Sequence, residues 1–313
     1  MVMELTTECR WCGQGPLRAV FDFYISQSLP QIGRGPFAVK ECLNCQTRQI
    51  NPHPSAEEAR AYFSSPQRYE TSLDPDGLKV EPIARAESRL NEYHIYASAM
   101  KRALPRGGTI LDVGGGTGLM LSLIDSPHLR ICLEPNDLAA EQASLRGLSV
   151  TRLWAEELVK PAASLAGLIM NQSLDHLVRP LFFLRKVSTF LAPGGLILLS
   201  GVINPKSIAS RLYGPSFRLL HPFHQVYPPP RAVIGTFEAL GFELIGFWRP
   251  YFKTPYCSPA KFIRALGALT KKALFSAYNG PSPAFPGNCV SYLFRKTIVL
   301  KPLMVELAVP SPL

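Results

Sequence analysis

The stretch Thr109 to Met120, T-I-L-D-V-G-G-G-T-G-L-M, constrains this chain more than any other. An apolar run, Ile110 to Val113, carries one acid at Asp112. Gly114, Gly115, Gly116 and Gly118 follow, and an apolar helix start, Leu119 to Ile124, comes next. The order is strand, tight turn, helix N-terminus. Glycine lets such a turn take positive φ and lets a ligand approach the backbone without meeting a Cβ. The N–H groups at the helix start then face that ligand. A dinucleotide fingerprint spaces its glycines G-x-G-x-x-G. Here they fall as G-x-G-x-G, with Leu119 at the third dinucleotide position, so an NAD enzyme ranks last.

Regular alternation follows the turn. Strand patterns are predicted at Leu129–Leu133, Ser149–Leu153, Leu165–Met170 and Gly195–Leu199. Helices are predicted at Asn136–Arg146 and Arg179–Leu191, and the turn Pro193-Gly194 separates the last pair. Such alternation predicts an α/β fold with a doubly wound parallel sheet, whose ligands bind at the C-terminal strand ends. Glu134 ends the second strand, one unit after the glycine turn. An acid there can accept both ribose hydroxyls of a nucleotide-type cofactor.

Residues 1–55 read as a small module of their own. Cys9 and Cys12 form one C-x-x-C pair, and Cys42 and Cys45 a second. Two such turns facing one another complete a tetrahedral Zn(Cys)4 site, closed and therefore structural. Disulfides or a redox pair are disfavoured by the duplication and by the inferred compartment. Strand-like runs, Val20–Ile25 and Phe37–Lys40, lie between the pairs. Ser55 and Glu58 make a capping box for a short helix, Asp74–Gly77 makes a turn, and Glu81–Leu104 carries a long helical pattern that Pro105 ends. The expected division is a ribbon at 1–55, a helical lead-in at 56–108, a cofactor domain at 109–298 with a substrate-side insertion at 203–280, and a tail at 299–313.

Composition narrows the setting. No stretch approaches the roughly 20 apolar residues that span a bilayer, and the N-terminal residues show no signal-peptide pattern, so a cytoplasmic protein is expected. The net charge of +10 is uneven: between Leu244 and Val305 there are nine Lys or Arg and no Asp or Glu. Such a block suggests an anionic partner, whether a phosphate-bearing acceptor, a membrane surface or nucleic acid. Ser258–Phe275 is a candidate basic amphipathic helix with Phe262, Leu266, Leu269 and Ala273 on its apolar face. It suits either covering an acceptor pocket or peripheral contact with an anionic membrane.

Taken together, these segments resemble class I S-adenosylmethionine-dependent methyltransferases that carry an N-terminal zinc ribbon, over roughly residues 9 to 298. The glycine turn is similar to their first motif, D-x-G-x-G-x-G. L-E-P-N at 133–136, S-L-D-H-L at 173–177, L-A-P-G-G-L-I-L-L at 191–199, H-P-F-H-Q-V-Y at 221–227 and N-C-V-S-Y-L-F-R-K at 288–296 are similar to later segments. The resemblance implies a seven-stranded Rossmann-like sheet and S-adenosyl-L-methionine as methyl donor, with structural zinc in the ribbon. It implies a cofactor site of Asp112, Gly114, Gly116, Gly118, Glu134, Pro135, Ala155, Glu156 and Asn171. Many such relatives act on sugars or small metabolites in biosynthesis. One departure stands out. Trp154 occupies the position where relatives usually carry an adenine-binding acid, which leaves stacking by Trp154, Glu156 or the Ala155 backbone for that task.

An alcohol acceptor needs a general base beside it, and histidine is the commonest choice. His224 is the first candidate, because it matches a histidine in the relatives' pattern between the fifth strand and the next helix. His176, with Asp175 to orient it, and His221 follow. Tyr69, Tyr213 and Tyr227 could line an acceptor pocket. The leading expectation is O-methylation of a small molecule or glycan. A nucleic-acid methyltransferase is the second reading, weakened because the basic block lies far in sequence from the ribbon and no aromatic-basic RNA motif is present. A catalytically inactive binding protein is the third, with Trp154 its best support.

Overall fold

The computed structural model describes residues 3–25, 29, 32–65, 86–104, 106–125, 127–252, 254–275 and 282–297. Tyr69, the Asp74–Gly77 turn, the first residues of the 81–104 pattern, Pro105 and the tail lie outside the described residues. Strands β1 (Leu17–Phe23), β2 (Phe37–Cys42) and β3 (Arg48–Ile50) form an antiparallel ribbon. Helix α1 (Ala56–Ser64) starts with the expected capping box: the Ser55 hydroxyl accepts the Glu58 N–H at 3.1 Å, and the Glu58 carboxylate accepts the Ser55 N–H at 2.9 Å. Helix α2 (Leu90–Ala103) follows, and it leads into β4 (Gly108–Val113).

From there the order is α3 (Leu119–Ser122), β5 (His128–Leu133), α4 (Asp137–Leu145), β6 (Ser149–Thr151), β7 (Leu165–Asn171), α5 (Pro180–Phe190) and β8 (Leu191–Ile203). Then come α6 (Ile208–Tyr213), β9 (Val226–Tyr227), α7 (Pro230–Ala239), β10 (Phe242–Trp248), α8 (Pro259–Leu274) and β11 (Cys289–Lys296). Seven strands make the main sheet, in the order β10-β11-β8-β7-β4-β5-β6. Strands β4 to β8 are parallel, and β11 and β10 close the sheet antiparallel. The chain leaves β4 on one side toward β5 and returns on the other through β7. The crevice at that reversal is where a parallel sheet binds ligand.

The centre of the sheet, β7 and β8, forms where the sequence is apolar on both faces. β8 is buried without interruption from Gly195 to Ile203. It is longer than its predicted core, because Leu191 pairs with Leu165 at one end and Ile203 with Cys289 at the other. β6 stops at Thr151, short of the predicted Leu153; the Thr151 carbonyl accepts the Glu134 N–H at 3.1 Å as the chain leaves the sheet.

A second sheet has the order β1-β2-β3-β9. Its last strand comes from the substrate-side segment: Arg48 pairs with Tyr227 and Gln49 with Val226. Cys9, Trp11 and Cys42 are buried in the same apolar cluster as Leu111, Val113, Leu168 and Leu199 of the main sheet. The ribbon therefore shares its core with the cofactor domain. Helix α8 forms as expected, capped by Ser258, and keeps part of its expected apolar face: Phe262 is half-buried and Leu269 buried, while Leu266 and Ala273 are exposed. Ala265 and Leu269 are buried and Leu266 is 50% exposed. The Tyr213 hydroxyl donates to the Ala268 carbonyl at 3.1 Å, which ties α8 to α6. Among the described residues no helix is long and apolar enough to cross a membrane.

Candidate active site

The glycine turn lies at the C-terminal end of β4. Gly114, Gly116 and Gly118 have φ of 68°, 56° and 73°, a region that costs other residues strain. At Gly118, a Cβ would also meet Leu148 at 2.4 Å, so the helix start can sit this close to its neighbour only with glycine. The adjacent Gly115 faces Cys132, whose sulfur lies 2.6 Å from a Cβ built there. The turn is tied to β5, since the Leu133 carbonyl accepts the Gly114 N–H at 2.8 Å.

Glu134 completes this half of the site. It is buried, and its carboxylate accepts the Gly116 N–H at 2.8 Å and the Asn136 N–H at 2.9 Å. Asn136 in turn caps α4 and donates to the carbonyls of Phe63 and Ser65 at the end of α1. Pro135, partly buried, lies between the two. Asp112 lies beneath the turn, fully buried, and neither carboxylate oxygen meets a hydrogen-bond donor among the described residues. Burial pushes its pKa up to about 8, and the charge on Glu134 adds to the shift. A buried acid facing a glycine cradle fits a cofactor that brings hydrogen-bond donors or positive charge, as an ammonium- and sulfonium-bearing nucleoside does.

The other cofactor candidates ring the same crevice. Asn171 ends β7; its side chain donates to the Tyr93 hydroxyl at 3.2 Å and accepts from Ser200 at 2.7 Å. Ala155 and Glu156 lie in the short 3-10 turn after β6. Trp154 precedes them, and the Arg60 guanidinium of α1 sits 5.4 Å from its ring centroid. Arg60 also pairs with Glu157 at 2.9 Å. The unusual tryptophan is thus a docking point for α1.

Across the crevice, Asp175, His176 and His224 converge, with one ligating atom of each within 4.8 Å of the others. Asp175 and His176 lie in a 3-10 turn, Leu174–His176, just after β7. The His224 Nδ1 sits 2.9 Å from the Leu219 carbonyl, and the His176 Nδ1 sits 3.0 Å from the Phe223 carbonyl. A carbonyl only accepts, so both Nδ1 atoms carry a hydrogen, and Nε2 is the position that takes up a proton when the ring acts as a base. The His224 Nε2 is 3.7 Å from the Asp175 carboxylate. His221 holds its own loop instead: its Nδ1 accepts the Phe223 N–H at 3.3 Å. Tyr227 is buried, which pushes its phenol pKa up, and it donates to the His221 carbonyl at 3.1 Å. Tyr213 points to α8. Tyr62 of α1 stacks on Phe223 at 4.1 Å, and Phe63 meets His176 edge-on at 4.7 Å.

The ribbon reaches this cluster directly. Arg10, between Cys9 and Cys12, donates to the Val178 carbonyl at 2.7 and 3.0 Å, to the Leu177 carbonyl at 3.3 Å, and to the Gln225 side chain. The Gln225 N–H donates to the Asp175 carbonyl at 2.7 Å. One side chain thus ties together the two segments that carry Asp175, His176 and His224. The sequence reading missed Arg10 because no periodicity or motif marks the residue inside a C-x-x-C.

The cysteines themselves match. Each pair closes the same turn: Gly13 N–H to Cys9 carbonyl at 2.8 Å, and Gln46 N–H to Cys42 carbonyl at 3.0 Å. Gly13 and Gln46 both have positive φ, 70° and 60°. The sulfurs of Cys9 and Cys45 are 3.6 Å apart, and those of Cys12 and Cys42 are 3.8 Å apart. Tetrahedral zinc with Zn–S bonds of about 2.3 Å has sulfur–sulfur edges of about 3.8 Å. The thiol of Cys45 is drawn down to about 5 by its contact with Cys9, whose own pKa rises.

A methyltransferase-domain family model matches residues 87–246, just over half of the chain. This chain belongs to that family. With the fold and the glycine motif, it is an S-adenosylmethionine-dependent methyltransferase. Among solved structures, the chain is similar to 1,6-didemethyltoxoflavin-N1-methyltransferase of Burkholderia thailandensis, at 17% identity and a TM-score of 0.51, over 82% of this chain and 97% of that one. It is also similar to a possible histamine N-methyltransferase of Thermotoga maritima, at 21% identity and a TM-score of 0.46, over 67% of this chain and 92% of that one. At such identities the likeness is one of fold. No curated protein matches the sequence. The ribbon and α8 lie outside the matched family range.

Proposed function

We propose that the enzyme methylates a hydroxyl of a small molecule or glycan, with His224 as general base and Asp175 beside it. The convergence of Asp175, His176 and His224 across the crevice from the glycine turn carries this reading. The bound cofactor supplies an electrophilic methyl group on sulfur, open to in-line attack. Gly114 to Gly118 and Glu134 hold the nucleoside; Asp112 and Asn171 bound the same crevice. His224, fixed as the Nδ1–H tautomer, takes the acceptor proton on Nε2. The Asp175 carboxylate then stabilises the imidazolium. His176 and the Tyr62–Phe223 stack wall the acceptor. A zinc ion on Cys9, Cys12, Cys42 and Cys45 completes the ribbon in a structural role, supported by the sulfur spacing. The Burkholderia thailandensis structure holds 1,6-didemethyltoxoflavin and S-adenosylhomocysteine, and a small-molecule acceptor is in keeping with this reading.

The test is a pair of measurements on His224→Ala. Turnover on a panel of hydroxyl acceptors should fall by about 10²- to 10⁴-fold. Cofactor affinity by calorimetry should stay within a few-fold of wild type. Turnover preserved within a few-fold would remove His224 as the base.

A further inference from the structure

Helix α8 carries two apolar faces. Toward the protein, Ala265 and Leu269 are buried, and Phe262 stacks on Phe285 at 5.9 Å. With 3.6 residues per turn, Ile263, Thr270 and Leu274 fall on the opposite side, and Leu266 lies at the edge of that side, about 60° from Ile263. Ile263 is 68%, Leu266 50% and Leu274 71% exposed. Phe275, at the helix end, is 64% exposed, and Phe252, 6.3 Å from Phe262, is 69% exposed. Single apolar residues on a surface are ordinary. Three in register along one helix face, with an exposed phenylalanine near each end, need an apolar partner.

The charge beside the stripe identifies that partner. Lys261, Arg264 and Lys271 are exposed on the same helix. No Asp or Glu occurs anywhere from residue 244 to 305, so the helix and its flanks carry one sign of charge. A second copy of the chain would place this basic helix against itself, with like charges facing. An anionic lipid surface satisfies both features: apolar side chains enter the acyl boundary while lysine and arginine meet headgroup phosphates.

We propose that α8 docks the enzyme on an anionic membrane. Ile263, Leu266 and Leu274 insert, and Arg264 and Lys271 hold the phosphates. This reading is independent of the acceptor and of the catalytic base.

Cosedimentation of the full chain tests it, with vesicles of phosphatidylcholine alone and of equal parts phosphatidylcholine and phosphatidylglycerol. The chain should bind the anionic vesicles and not the neutral ones, and release as salt rises. Ile263→Ser with Leu266→Ser should weaken binding at least tenfold. Arg264→Glu with Lys271→Glu should do the same, since each basic residue at such a surface contributes about fivefold. These positions are exposed, so melting temperature and cofactor binding should not change. Leu145→Ser, 75% exposed on α4, should bind like wild type. Three outcomes overturn the proposal: no binding to anionic vesicles, binding that survives both double variants, or a dimer in sedimentation velocity that the serine variant abolishes while vesicle binding persists.

Discussion

The two sides of the crevice are built in different ways. The cofactor side comes from one continuous stretch: β4, the glycine turn, β5 and Glu134 lie within 27 residues, 108 to 134. Its contacts are mostly backbone to backbone or backbone to Glu134. The side proposed for the acceptor is assembled from four places: Arg10 in the ribbon, Tyr62 and Phe63 on α1, Asp175 and His176 after β7, and 219–227 after α6. Local geometry suffices to bind a nucleoside that many enzymes share. A site for one particular acceptor draws on distant segments, each free to vary without disturbing the cofactor.

This contrast can be broken by experiment. The largest effect is expected from Cys42→Ser. Metal analysis should show one zinc per wild-type chain and none in the variant, with loss of turnover as the ribbon comes apart, since zinc holds such modules by about 10 kcal/mol or more. Cofactor binding that survives would show the two sides to be separable. If cofactor binding is lost as well, the shared core around Cys9, Trp11 and Cys42 couples them.

Glu134→Ala should act in the reverse sense. Its two backbone hydrogen bonds and the expected ribose contact point to a loss of about ten- to hundredfold in cofactor affinity by calorimetry. Arg10→Met should lower turnover by about tenfold while zinc content and cofactor affinity hold, because the side chain positions the acceptor segments and ligates nothing. Zinc loss in Arg10→Met would mean that Arg10 serves the ribbon's own fold.

A pH effect is expected at Asp112. Its pKa is raised from 3.8 to about 8 in the folded protein. Between those values the folded state keeps a proton that the unfolded state releases. The cofactor-free enzyme should therefore be most stable below about pH 4 with respect to this group, and lose that stability as pH rises toward 8. Urea unfolding of Asp112→Asn should show a flatter dependence from pH 5 to 8. Equal slopes in the two proteins would mean that Asp112 is already ionised in the crevice.

By itself the sequence determined the parts whose physics is local. Glycine spacing, the acid one strand later, the capping box at Ser55 and the paired C-x-x-C turns depend on neighbours within a few residues, and the structure has them where the pattern put them. The parallel sheet was legible because strand and helix patterns alternate along the chain. Only the tertiary structure decided the rest. It joined β9 to the ribbon sheet, aimed Arg10 at two loops, laid Arg60 on Trp154 and left Leu266 of α8 half exposed. Those contacts join residues more than 40 positions apart, or turn on which side of a helix finds a partner. Neither carries a period or a motif along the chain, because such pairings are selected by packing after the local elements exist.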